Sequence, residues 1–196
     1  MKIKNPNPLI CLPRPPSISI IEVYFAANQL KHLYRQGWLS SKVSPEYCES
    51  VAEHCFGVAL LGMMIADLYF PELDKAKLIQ MALIHDLGEV YAGDITPSDG
   101  ISGGEKYKLE EDAVARLFSN IPMGDRYLSL WEEYELGESP EAIFVHQIDK
   151  LEMGFQANIY ENLLSIKLPE FYLSIRDELT NSKLIQIFDE LVDLRN

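Results

Sequence analysis

Ala82-Leu83-Ile84-His85-Asp86-Leu87-Gly88-Glu89 is the stretch on which the reading of this chain turns. Leu78, Ala82 and Leu83 recur at helical spacing and carry the chain to two adjacent side chains that both bind metals. A single histidine on an apolar helical face is ordinarily a hydrogen-bonded core residue. His85 has companions of the right kind elsewhere. His54 lies on an earlier apolar helix, Asp149 on a later one, and Glu89 one turn after His85. The pattern His…His-Asp…Asp separates His54 from His85 by 31 residues and Asp86 from Asp149 by 63. Two neutral imidazoles and two carboxylates suit one borderline-to-hard divalent ion with open coordination positions, not a closed thiolate zinc site. The four residues point to metal-dependent hydrolysis.

Outward from this stretch the periodicity is helical, with no sustained alternation that would argue for sheet. Ile20 to Tyr34 reads as a first helix ending near Gly37. A second begins at Ser50, where Ser-x-x-Glu53 is a capping box that puts His54 in the first turn. Asp74 caps a third helix leading to His85 and Asp86, and Gly88 and Gly93 mark the exit into an irregular loop carrying Glu89 and Asp94. Further helices are predicted at 103–120, 125–136, 140–166, 169–179 and 182–194, with Ser139-Pro140 as a start signal. Residues 1–17 hold five of the eleven prolines and read as an extended arm, of the kind that lies on a neighbouring subunit. Residues 18–196 read as one all-α helical bundle without internal repeat or linker.

The length of 196 residues and 47% hydrophobic content suit one domain with a substantial core. A formal charge of −13 argues against binding a nucleic acid polymer, which requires clustered Lys and Arg, but permits a small phosphate ligand beside a metal. Cys11, Cys48 and Cys55 form no CxxC pair, and two helical turns would hold Cys48 and Cys55 roughly 10 Å apart, too far for a disulfide. Reduced thiols in a cytoplasm are expected. The apolar patch Leu9-Ile10-Cys11-Leu12 is too short and proline-flanked for an export signal, and the run Val58–Phe70 is too short to span a bilayer and contains Asp67, so no membrane role is expected.

Six segments occur in order: Arg35-Gln-Gly-Trp38, Glu49-Ser-Val-Ala-Glu-His54, Ile84-His-Asp-Leu-Gly-Glu89, Gly93-Asp-Ile-Thr-Pro97, Leu130-Trp-Glu-Glu-Tyr134 and His146-Gln-Ile-Asp-Lys150. Together they resemble the HD-domain metal phosphohydrolases, and the segments at 35–38 and 130–134 resemble their 5′-deoxynucleotidase branch. The resemblance runs from about residue 25 to the C-terminus. It implies an HD-domain bundle, a homodimer, and a deoxyribonucleoside 5′-monophosphate as substrate. The alternatives are another HD phosphohydrolase, acting on a nucleoside triphosphate or cyclic nucleotide, and a non-catalytic nucleotide sensor. His54, His85, Asp86 and Asp149 would hold one ion, with manganese, cobalt, iron, nickel and zinc all compatible and magnesium a poorer match to the histidines.

The resemblance further assigns Glu89 and Asp94 to the catalytic centre and Arg35 and Trp38 to substrate. Arg35 offers a bidentate guanidinium to phosphate; its alternative is an ordinary surface arginine. Trp38 is expected against deoxyribose, where an indole strips water from a ribose hydroxyl. Glu89 either orients or deprotonates the attacking water, or supports a ligand from behind. Asp94 either delivers a proton to the leaving 5′ oxygen or caps the turn at Ile95-Thr96-Pro97. The acidic stretch Glu105–Asp112 reads as a solvated helix face, with a further hydrated metal at Glu105, Glu110 and Glu111 as its alternative.

Overall fold

A computed structural model describes residues 2–195. The described residues form ten α-helices with no strand: α1 Ser19–Ala27, α2 Gln36–Ser40, α3 Val51–Tyr69, α4 Lys75–Ile84, α5 Glu89–Ala92, α6 Gly103–Phe118, α7 Gly124–Leu136, α8 Pro140–Leu164, α9 Pro169–Glu178 and α10 Ser182–Asp193. Two compact units emerge, one from the residues up to Cys55 with Ile84–Glu135, the other from Phe56–Leu83 with the residues from Leu136 onward.

The first unit is built on α1, α5, α6 and the start of α3. Val23, Ala26, Leu30, Leu33, Val51, Leu87, Val114 and Trp131 belong to its apolar core. The helix expected over 20–34 stops at Ala27, passes through a 3-10 turn at Asn28–Lys31, and then opens out. Residues 32–35 are drawn into main-chain pairing instead: Leu33 bridges Ile3 and Tyr34 bridges Ser50, both antiparallel. Those partners are far away in sequence, so helical periodicity could not announce them. The arm lies on its own chain. Asn7 caps a short 3-10 turn at Pro8–Cys11, its side chain accepting from the Leu9 amide at 2.9 Å.

Gly88 is needed for packing, not for an unusual backbone angle, since its φ is −56°. A Cβ there would meet Glu110 Cβ at 2.6 Å, Cγ at 2.9 Å and Cα at 3.0 Å. Because the obstruction includes the α6 backbone, rotating a side chain does not relieve it. Gly88→Ala is expected to cost about 1–3 kcal/mol by overpacking. Urea unfolding of the variant beside the parent checks this; an unchanged midpoint would refute it. Gly93 has the opposite role, with φ at 83° ending α5 after a single turn.

The second unit is organised by α8, against which α9 and α10 pack. Ser139 starts α8 by accepting from the Ala142 amide at 3.2 Å, with Pro140 at the first position. Phe144, Ile148, Leu151 and Ala157 are buried along α8, as are Ile175 on α9 and Leu184 on α10. Gln147 Oε1 accepts the amides of Thr180 and Asn181, each at 2.8 Å, fixing the turn that opens α10. Glu161 receives a forked pair from Arg195 at 2.8 and 2.9 Å and the Leu168 amide at 2.6 Å.

The apolar run read as too short to span a bilayer lies within α3, which is 19 residues long and holds an 18-residue stretch of mean hydropathy 1.5, the length and composition of a membrane span. It also carries His54 at 0% exposure, and Val51, Val58 and Ala66 are fully buried along it, as in a core helix.

Candidate metal centre

The centre begins with a helix start. Glu53 Oε2 accepts the Ser50 amide and hydroxyl, both at 2.6 Å, while Ser50 Oγ accepts the Glu53 amide at 3.3 Å. This is the capping box read from Ser-x-x-Glu, and it delivers His54 to the first turn of α3. His85 and Asp86 are placed by a helix end. Regular α4 stops at Ile84, and the chain continues through tight turns in which Leu87 donates to Ile84 O at 3.0 Å and Glu89 to Asp86 O at 3.0 Å. Adjacent residues in an α-helix diverge by about 100°. Leaving the helix removes that restriction, and His85 Nε2 comes within 3.3 Å of Asp86 Oδ2.

Asp86 Oδ2 is the meeting point. It lies 3.3 Å from His85 Nε2, 3.8 Å from His54 Nε2 and 3.5 Å from Arg35 Nη1. The His54 and His85 rings sit edge to face with centroids 5.5 Å apart. Burial favours the neutral acid at Asp86, but the charges of His85, Arg35 and His54 and a hydrogen bond from His85 outweigh it, holding the carboxyl well below its usual range. Oδ2 is closed to solvent. A buried carboxylate oxygen facing two imidazole nitrogens at 3.3–3.8 Å suits donors that share one ion through bonds of about 2 Å. These residues fit a divalent metal.

The Trp131 indole N–H donates to the main-chain oxygen of His85 at 3.0 Å, and the Tyr134 ring lies 5.3 Å from the His85 ring. Segment 130–134 on α7 therefore holds His85 from behind, which a reading confined to metal donors overlooks. Cys55 was also missed. Its Sγ lies within 4.8 Å of His85 and Asp86 donor atoms, at a position the sequence presents as an ordinary small core residue.

Glu89 is 2% exposed, and its Oε2 has no hydrogen-bond partner. Burial, then the charges of Asp86 and Asp94, push its carboxyl well above the usual carboxylate range, with Arg35 opposing. Asp94 does not cap the Ile95-Thr96-Pro97 turn; Thr96 and Asp99 cap it between themselves. Asp94 Oδ2 instead accepts the Gln36 amide, and Oδ1 lies 3.8 Å from Arg35 Nη1. Arg35 thus spans Asp86 and Asp94, at 15% side-chain exposure, and is no free surface arginine. Trp38 is 1% exposed and donates its indole N–H to Glu49 Oε1 at 2.7 Å, so its ring is closed from solvent.

In the second unit, α8 carries Asp149, 6% exposed, with Oδ2 3.0 Å from Lys150 Nζ. The carboxylates of the acidic stretch part company. Glu105 caps α6 through Ser102, and Glu111 pairs with Lys108 at 2.7 Å. Only Glu110 turns inward against Gly88, where burial, opposed by Lys106, raises it to about 7.

An HD-domain family model matches residues 27–192. The chain is 37% identical over 173 residues to a 5′-deoxynucleotidase, HDDC2, from Mus musculus, covering 86% of this chain and 84% of that one. It is 38% identical over 168 residues to the Dictyostelium discoideum protein of the same name, covering 80% and 87%. Among solved structures, a Pyrococcus horikoshii protein superposes with a TM-score of 0.75 at 33% identity, covering 89% of this chain and 99% of that one. A Magnetospirillum magnetotacticum protein described as a predicted metal-dependent phosphohydrolase gives 0.68 at 25%, covering 89% and 90%.

Proposed function

The chain belongs to the HD-domain family, and from that premise we propose that it is a divalent-metal-dependent 5′-deoxynucleotidase, converting deoxyribonucleoside 5′-monophosphates to deoxyribonucleosides and phosphate. The observation that carries the reading is the convergence of His54, His85 and Arg35 on Asp86 Oδ2: two imidazoles and a guanidinium around one buried carboxylate oxygen. In this reading Asp149 completes the ligand set, and manganese, cobalt, iron, nickel and zinc remain the compatible ions. An ion held there supplies Lewis acidity toward phosphate and lowers the pKa of water.

The protein's own groups divide the remaining work. Arg35 exchanges its contacts with Asp86 and Asp94 for the substrate phosphate, a charge-assisted interaction with stronger geometry than a lysine would give. Glu89, dry and raised in pKa, holds or receives the proton of the attacking water. Asp94, beside Arg35, serves the leaving 5′ oxygen. The same reading takes the active species as a cytoplasmic homodimer.

Phosphate release from matched deoxyribo- and ribonucleoside mono- and triphosphates, with several divalent ions, tests the proposal. Turnover confined to triphosphates, or binding without release, would replace it with another phosphohydrolase or a sensor. Trp38→Ala is expected to narrow the deoxyribo-to-ribo ratio of kcat/KM by about 1–3 kcal/mol, roughly five- to 150-fold. Because the indole is buried, the same change opens a cavity costing about 3–5 kcal/mol in stability, so the ratio and not the absolute rate is the readout. An unchanged ratio would remove Trp38 from sugar selection.

A further inference from the structure

We propose that Gln36 is a positioning residue that ties the N-terminal arm to Arg35 and Asp94, so that residues 2–4 help set the geometry of both groups; the kinetic part rests on the phosphohydrolase reading above. Gln36 commits its side-chain amide and its main-chain N–H to this. Its Oε1 accepts the Lys2 amide at 2.9 Å, and its Nε2 donates to Lys2 O at 2.9 Å and Tyr34 O at 2.8 Å. Its own main-chain N–H donates to Asp94 Oδ2.

The segment that carries Arg35 needs such support because it is neither helix nor sheet. On one side Tyr34 bridges Ser50, and the Arg35 amide donates to Glu49 O at 3.2 Å. On the other side the arm pairs with it: Ile3 bridges Leu33, and the Lys4 amide donates to His32 O at 2.6 Å. The two hydrogen bonds between Lys2 and the Gln36 side-chain amide continue that ladder by one rung. Lys4 Nζ also reaches Glu53 Oε2 at 3.1 Å, the carboxylate that caps the helix bearing His54. Arm, phosphate-binding arginine and helix cap form one connected structure.

Two substitutions separate the side-chain tether from the main-chain donor. Gln36→Ala removes the tether but keeps the N–H. Gln36→Pro removes both, at the first residue of α2, where a helix needs no donor and Arg35 already has the extended φ of −66° and ψ of 102° that suits a following proline. Gln36→Ala is expected to raise KM for a deoxyribonucleoside monophosphate about tenfold with kcat within about twofold, and Gln36→Pro to lower kcat a further tenfold, roughly. Amide exchange at residues 3–5 should accelerate about tenfold in Gln36→Ala, whatever the protein hydrolyses. Unchanged arm exchange overturns the tether. Lower melting temperature with wild-type KM and kcat makes Gln36 merely structural and overturns its positioning role. If the parent protein itself releases no phosphate, the function above fails, while the exchange measurement still decides the tether.

Discussion

Asp86→Ala yields a folded protein that neither keeps stoichiometric divalent metal nor turns over substrate, with phosphate release down about a thousandfold or more, equivalent to several kcal/mol of lost charge stabilisation. The size of the effect follows from geometry. His85, His54 and Arg35 are all within 3.8 Å of one oxygen, so its removal leaves two imidazoles and a guanidinium crowded together without the anion they share. Arg35 then competes with the metal by charge instead of assisting it. Asp86→Asn, of the same shape, should behave like the alanine variant, which separates charge from packing. Metal content per chain and phosphate release on one preparation decide the matter. Full activity in either variant would end the metal mechanism.

Glu89→Gln should retain the metal while losing about a hundredfold to ten-thousandfold in turnover, the usual worth of a positioned proton-transfer group. Its stability should move the other way. The folded-state pKa of Glu89 lies above its unfolded value because the site is dry and already holds Asp86 and Asp94. The folded chain therefore binds more protons than the unfolded one above the ordinary carboxylate pKa, and its stability falls as pH rises through that window. Glutamine carries no such penalty. The metal-free variant is expected to melt higher than the metal-free parent at pH 8, and the gap should close toward pH 4. Loss of metal in proportion to loss of rate would instead make Glu89 a ligand.

How much of this was legible in the sequence depended on whether the controlling contact was local. The capping box at Ser50 and Glu53 and the Ser139-Pro140 start involve neighbours in the chain, and each appears where sequence spacing puts it. The long helices after residue 100 likewise start and stop within a few residues of expectation. Helix 20–34 failed because pairing with Ile3 and Ser50 overrides local propensity. Leu83, counted with the apolar face, is 48% exposed, whereas Leu78 and Ala82 are fully buried. Within the candidate site, the residue types could be named, but the turn that lets His85 and Asp86 share a target could not. Nor could the role of Asp94, because choosing between a local cap and a contact with Gln36, 58 residues away, requires the fold.

The chain has two tryptophans, and both report on one neighbourhood. Trp131 is bonded through its indole to the main chain of His85, and Trp38 sits three residues from Arg35 with its indole on Glu49. Each is sealed from solvent, at 0% and 1% exposure. Tryptophan emission from this protein therefore arises in dry surroundings beside the candidate centre, with no distant indole to dilute it. The native fluorescence is a built-in optical gauge: a paramagnetic ion or a phosphate ester entering there acts on the whole of the signal, without any dye attached.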